Sequence, residues 1–592
     1  MMKEQSGNFQ SEIHEKDYRA KFIPLRKTVQ NAICMDGRET ESLNGSWHFT
    51  VDPYETSLRA GWYAEKRFSE DGREMPCDFD FQAWPTIAVP SCWNMISPEL
   101  FYYENIGVYY REFTYIERKA GERTFIQFEG AQYRTYVFLN NKPIAFHDGG
   151  STPFTVETTG LLQRFNKIMV FVDAARSDSR VPMSNTDWFN YGGLYRDVYF
   201  VRTPQVLIKD WFVRLVPGSG YKKIAIDFQI EGTKTGEARF CIPELELDEV
   251  ISVADGKGRA EIEVSPELWS PENPKLYDVS LSFGEDAVSD RIGFREIKVE
   301  NGKIYLNGKA RYLKGVCVHE DHEKFGKTTD DEIIRATIRD LKDMHGIFLR
   351  LAHYPHTRRF AKIADETGVL LWEEIPVYWA IDFSNPDTYD DAENQLSELI
   401  VRDKNRASVI IWSVGNENAD TDDRLSFMRN LVQTAKRLDP TRLVSAACLV
   451  NREKMCLEDR LMNELDVIGN NEYYGWYEPN FDDLITILSN TKLTKPVIIT
   501  EFGAGAGYGN HGTENTLWTE EYQETLYKKQ FAVMKRSDFI QGTTPWILYD
   551  FRAVRRQNRY QKGFNRKGLI DADRKRRKLA FKVVADYYAG ID

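Results

Sequence analysis

At 592 residues, with 42% hydrophobic and 28% charged side chains, the chain has the composition of an ordinary globular protein and enough length for several cores. A formal net charge of -12 argues against nucleic acid as a partner, because phosphate binding needs a basic surface. No apolar run reaches the roughly 18 residues of a transmembrane helix, so no membrane partner is expected. Seven cysteines (Cys34, Cys77, Cys92, Cys241, Cys317, Cys448, Cys456) are odd in number and show no C-x-x-C pair. That pattern favours free, mostly buried thiols over a disulfide or zinc framework. The start Met1-Met2-Lys3-Glu4-Gln5-Ser6 is polar and no apolar leader core follows it, which makes the cytoplasm the expected location.

Up to residue 203 the chain reads as β. Short alternating segments such as Thr124–Glu129, Tyr136–Asn140 and Lys167–Val172 are separated by Gly, Asn and Pro turns. The pattern continues through 204–297 with Val213–Val216, Ile224–Phe228 and Tyr277–Phe283. This spacing predicts two successive β-sandwiches, a jelly roll over 1–203 and an immunoglobulin-like sandwich over 204–297. From 298 the rhythm changes to apolar strands alternating with amphipathic stretches such as Asp331–Lys342. Strands are predicted at Leu313–His319, Gly346–His353, Gly368–Ile375, Ser408–Glu417, Leu443–Leu449, Asp466–Tyr474, Pro496–Gly503 and Gly542–Phe551. Eight such strands over residues 298–592 predict a C-terminal (β/α)8 TIM barrel.

Two of these strands deliver a carboxylate where the apolar run stops, Glu417 after Ser408–Asn416 and Glu501 after Pro496–Thr500. Barrels place their chemistry at the C-terminal ends of the strands. Two carboxylates at one mouth are the apparatus of glycosidic bond cleavage, one protonating the leaving oxygen while the other attacks or activates water. Burying either without such a purpose would be costly. Thirteen Trp and thirty Tyr suit sugar stacking, and equally suit large β-rich cores.

The motifs around these strands resemble glycoside hydrolase family 2. They are Gly346–Pro355, Ala364–Pro376, Arg402–Glu417 and, near the N-terminus, Leu43–Trp47, Val89–Asn94 and Phe128–Gly130. Ile347 departs from the Asn usual ahead of the Arg, and Leu351-Ala352 from the small polar residues common there. Asn471–Tyr477, Thr186–Gly193, Trp518–Gln523 and Asn565-Arg566-Lys567 have the look of the family's β-glucuronidases.

The resemblance implies a retaining exo-β-glucuronidase with Glu417 as acid/base and Glu501 as nucleophile. It also implies Tyr473 as a donor to the nucleophile and Asn416 as the partner of the sugar 2-hydroxyl. Asp187 would reach the sugar from the sandwich part, and Asn565 and Lys567 would grip the uronic acid carboxylate with help from Tyr477 and Arg559. Arg350 serves the nucleophile, Trp546 forms the sugar's floor, and His319, His353 and Tyr474 join the lining. His319-Glu-Asp-His322 lacks the zincin spacing, so no metal is expected, and no cofactor is implied.

The expected partners are glucuronide-conjugated small molecules or uronic-acid-ended oligosaccharides, with a homo-oligomer open. Another sugar, as in a β-galacturonidase or β-galactosidase, and a non-catalytic carbohydrate-binding protein are the alternatives. The stretch Val377–Tyr389 reads as too short to fold over the mouth.

Overall fold

A computed structural model describes residues 28–64, 66–69 and 71–591. The polar N-terminus, read above as carrying no leader, lies outside them. The chain forms two compact units, one of residues up to Arg176 with Asn190–Leu207, the other of Ser177–Phe189 with the chain from Ile208 onward.

In the first unit a six-stranded sheet runs in the order Thr86–Val89, Gly45–Asp52, Ile106–Thr114, Phe165–Asp173, Arg134–Leu139, Lys142–Asp148. A four-stranded sheet runs Thr40–Ser42, Val198–Thr203, Arg123–Phe128, Phe154–Glu157. Trp47, Trp93, Tyr109, Ile126, Phe128 and Val170 belong to one buried cluster with residues from both sheets. This is the expected jelly roll.

The second unit opens with an immunoglobulin-like sandwich of three strands (Leu207–Leu215, Lys223–Glu231, Lys257–Glu263) against four (Leu247–Val253, Gly236–Ile242, Tyr277–Phe283, Asp286–Ile292). An antiparallel pair, Ile297–Glu300 and Lys303–Leu306, follows. Its Ile297, Ile304 and Leu306 pack with Leu313, Phe348 and Ile411 of the barrel strands and so cover the barrel's N-terminal end.

The barrel is closed by eight parallel strands: β1 Leu313–Val318, β2 Phe348–Leu351, β3 Leu370–Glu374, β4 Val409–Asn416, β5 Leu443–Cys448, β6 Ile468–Asn471, β7 Val497–Glu501 and β8 Ile540–Thr543. β8 returns to β1 through Leu313 opposite Gly542. Every residue of β3, β4, β6 and β7 is buried, which is why these strands read as continuous apolar runs.

The helices are α1 Asp331–Asp343, α2 Arg358–Thr367, α3 Pro386–Asp403, α4 Asp422–Leu438, α5 Asp482–Asn490, α6 Glu520–Met534 and α7 Leu579–Ala589. α1 shows their logic. Asp330 caps it by accepting from Ile333 N–H, and Ile334, Ile338 and Leu341 bury one face. α2 stops at Gly368 with φ 70°, where a Cβ would meet the Pro271 carbonyl oxygen at 2.4 Å.

One strand differs from expectation. β8 covers Ile540–Thr543 rather than Gly542–Phe551, because Pro545 has no N–H to continue the ladder. The apolar residues Trp546–Tyr549 beyond it form a buried loop, and Phe551 begins a separate two-residue strand paired with Phe564–Asn565. The seven cysteines are free thiols; Cys92, Cys317 and Cys448 are buried and the other four partly so. No described helix is long and apolar enough to cross a membrane.

Candidate active site

At the C-terminal mouth of the barrel lies a cleft of about 640 Å³ whose lining includes Glu417, Glu501, His353, Tyr473, Trp546 and Lys567. Glu501 is the last residue of β7 and 5% exposed. Tyr473 donates its hydroxyl to Oε2 at 2.8 Å, and Arg350 donates Nη1 to Oε1 at 2.9 Å. The carboxylate is thereby held by one neutral and one charged donor.

Glu417 sits one step beyond β4, in the left-handed region with φ 54°. A non-glycine residue there stores strain, and its N–H is fixed on the Ala447 carbonyl at 2.8 Å. Trp379 donates its indole N–H to Oε2 at 2.7 Å. Removal from water, and then the Glu501 charge, push the Glu417 carboxyl above its usual range; Trp379 and Asn471 oppose this by hydrogen bonding. The two carboxylates thus occupy unlike surroundings, one rich in donors with a cation, the other without one.

Arg350 of β2 is fully buried and binds the strand ends together. Its Nη2 donates to Glu374 Oε1 at 3.0 Å and to Asn416 Oδ1 at 2.7 Å. Burial would raise the Glu374 carboxyl, but Arg350 and His353 outweigh it and hold it at about 2. Asn416 Oδ1 also accepts from Asn471 Nδ2 at 3.1 Å. Its own Nδ2 is buried without a hydrogen-bond partner, a donor left for a ligand. His353, with Nδ1 2.8 Å from Glu374, stacks on Trp546 at 4.9 Å between ring centres.

At another wall Lys567 Nζ donates to the Tyr477 hydroxyl at 2.6 Å, and Arg556 Nη1 donates to the same oxygen at 2.9 Å. Burial would raise the Tyr477 phenol, but the two cations outweigh it and bring it below its usual value. With both donors pointing at its oxygen, the phenol's own proton faces away from them. Arg556 also grips Asp187 through Nε at 2.8 Å and Nη2 at 2.5 Å.

Several expected lining residues stand elsewhere. Arg559 donates to the neighbouring Tyr560 hydroxyl at 2.6 Å on the exposed side of its loop, outside the cleft lining, and Arg556 takes the inward position. Asn565 is fully buried, spending its amide on Asp187 and on Lys567 N–H, so it backs the wall rather than lining it. His319 lies against Trp546 and Phe551 with Nδ1 3.2 Å from the Tyr354 hydroxyl, outside the lining. Arg350 and Asn416 lie beneath the lining, whereas Asp187, His353, Tyr473, Tyr477, Trp546 and Lys567 line it. Tyr474 reaches only its outer wall, its ring buried in the helix-layer core.

Trp379, Asn471 and Arg556 join the site in addition to the expected residues; Asn471 stands in the Asn471–Tyr477 motif and Arg556 three residues before Arg559. Trp379 is tied by its N–H to the Asn416 carbonyl at 2.9 Å, and the chain then turns away so that Ile381 enters the outer core. Among the described residues no cluster of three His, Cys, Asp or Glu side chains is arranged to hold a metal ion.

The family model described as "Glycosyl hydrolases family 2, TIM barrel domain" matches residues 297–592, half of the chain. The chain belongs to glycosyl hydrolase family 2. The family's sugar binding domain matches 40–204 and its middle domain 206–295. As a family 2 member the chain is a glycoside hydrolase. A β-glucuronidase of Paenibacillus borealis is 28% identical over 587 residues, which covers 91% of this chain and 95% of that relative. The solved structure of a β-glucuronidase from an uncultured Clostridium sp. has a TM-score of 0.82 at 25% identity, covering 95% of this chain and 99% of that one. A family 2 β-galacturonidase from Eisenbergiella tayi, bound to galacturonate, gives 0.81 at 26%, covering 95% and 98%.

Proposed function

We propose that this family 2 enzyme is a retaining exo-β-glucuronidase, releasing β-D-glucuronic acid from the ends of its substrates. The observation that carries the reading is Lys567. The residue is 3% exposed and lines the cleft with the two carboxylates, and among the described residues its ammonium group has no carboxylate partner. A buried cation without an anion is costly, and a uronic acid supplies the missing charge. The unspent Tyr477 proton and the outward N–H groups of Arg556 offer further donors beside it.

The reaction follows from the unlike environments of the two glutamates. Glu501, oriented by Arg350 and Tyr473, attacks the anomeric carbon while Glu417 gives its proton to the glycosidic oxygen. This forms a covalent glycosyl–enzyme. Glu417, now a carboxylate, takes a proton from water, which displaces Glu501 and restores both groups. Two displacements leave the β configuration. Asn416 Nδ2 donates to the 2-hydroxyl, a contact that tightens as positive charge grows on the ring.

The likeness to a β-galacturonidase supports a second reading, the C4 epimer, in which the same carboxylate site is used. A panel of chromogenic β-glucuronide, β-galacturonide, β-galactoside and β-glucoside separates them. The expected result is highest kcat/KM on the glucuronide, by at least about 100-fold over the neutral sugars, the worth of a paired, desolvated charge. Preference for a neutral sugar would overturn the assignment.

A further inference from the structure

Tyr473, the donor to the nucleophile, is carried by a short strap that continues β6, and the strap has an anchor on its far side. Successive side chains alternate: Asn471 and Tyr473 face the cleft, and Glu472 turns its carboxyl into the wall toward α6. Glu472 is 2% exposed. Its N–H donates to the Glu501 carbonyl at 2.9 Å, its Oε2 accepts from Tyr474 N–H at 2.9 Å, and its Oε1 lies 3.0 Å from Gln530 Nε2.

We propose that Glu472 is a positioning residue of this glycosidase site, anchoring through Tyr474 and Gln530 the strap that sets Tyr473 on the nucleophile. The inference concerns a residue outside the expected site, and it rests on Glu501 being the nucleophile.

Several other buried carboxylates of the barrel are paired with a cation: Asp365 with Arg406, Asp459 with Arg424, Asp550 with Lys578, Glu374 and Glu501 with Arg350. Among the described residues Glu472 forms no ion pair; its partners are a peptide N–H and an amide. The charged and titratable groups around it are the tyrosines Tyr474 and Tyr527, Glu501 across the β6–β7 pair, and, beyond the Tyr474 ring, Glu478, Arg452 and Asp483. None of these is a cation touching its carboxyl. Burial accordingly lifts Glu472 to about 8. Gln530 Oε1 is buried without a hydrogen-bond partner. Gln530 Nε2 donates as well to the Tyr474 carbonyl at 3.4 Å, so one amide ties both Glu472 and the next peptide of the strap to α6. Glu472 therefore anchors the strap as a neutral acid, and ionising it places an unpaired charge behind the strap.

The test compares wild type, Glu472→Gln, Gln530→Leu and Tyr473→Phe on a chromogenic β-glucuronide across pH. Glu472→Gln copies the neutral form. It should keep kcat within about threefold at pH 6, and its kcat relative to wild type should rise at least about tenfold by pH 9.5, with KM unchanged. In the Tyr473→Phe background that rise should vanish. Gln530→Leu should lower kcat about tenfold without moving KM. A wild-type ratio flat with pH, or a rise that persists without the Tyr473 hydroxyl, overturns the proposal.

A second readout needs no turnover. The folded group at about 8 stands above its unfolded value of 4.5, so its stabilisation is full below pH 4.5 and is lost as pH rises through 8. Glu472→Gln should thus melt progressively higher than wild type on going from pH 5 to pH 9. A constant difference in Tm overturns the anchor whatever sugar the enzyme takes.

Discussion

The indole N–H of Trp379 points at Glu417 Oε2 from 2.7 Å, so the acid of the proposed mechanism also accepts a bond that favours losing its proton. The bond moderates a carboxyl that burial and Glu501 push upward. Trp379→Phe should therefore raise the Glu417 carboxyl further. The alkaline limb of kcat/KM, which reports deprotonation of the general acid, should shift to higher pH, because a hydrogen bond to the charged form is lost. A pH–rate profile of the variant checks this; a limb that stays put would mean another group governs it.

Glu417→Gln and Glu501→Gln should each cost at least about 100-fold in kcat, since neither a proton donor nor a nucleophile has a substitute in the cleft. NMR of the wild-type reaction should show the β anomer as first product. Either variant retaining a tenth of the activity removes that residue from the mechanism, and an α first product removes the double displacement.

Lys567→Ala should lower kcat/KM on a β-glucuronide by about 10–100-fold, at ~1.4 kcal/mol per decade, and leave weak activity on a neutral glucoside intact. Parallel losses on both sugars would show that Lys567 serves the wall and not the uronic acid.

Arg556 and Arg559 make a matched pair for comparison. Arg559→Ala should stay within about twofold of wild type, because its guanidinium rests on Tyr560. Arg556→Ala strands Asp187 without its cation and removes a donor from Tyr477. It should lower kcat/KM at least about 100-fold and lower Tm, as losing one member of a buried ion pair does. Kinetics and melting of the two variants together test the exchange of roles.

Much of this architecture was legible because buried parallel strands leave little choice of residue. β4 and β7 are apolar until the position at the mouth, and a carboxylate at that position announces itself. The same reasoning misplaced the eighth strand, since a buried loop such as Trp546–Tyr549 is as apolar as a strand. The wall residues were harder to read. Arg555, Arg556 and Arg559 are chemically alike, yet Arg555 and Arg556 line the cleft while Arg559, in the turn that Asn558 builds by accepting from Tyr560 and Gln561 N–H, does not. Trp379 carries no sequence signal because its partner lies 38 residues away along the chain and the contact exists only once β3 and β4 are side by side.

Ser177–Phe189 belongs with the barrel although it precedes the small sandwich in sequence, and it brings Asp187 to Arg556. The catalytic half is therefore not a transplantable cassette. A gene fragment starting at residue 298 would encode all eight strands and both glutamates, yet leave Arg556 facing an empty place. Anyone building chimaeras between family members has to carry those thirteen residues along with the barrel, or match them to the loop they complete.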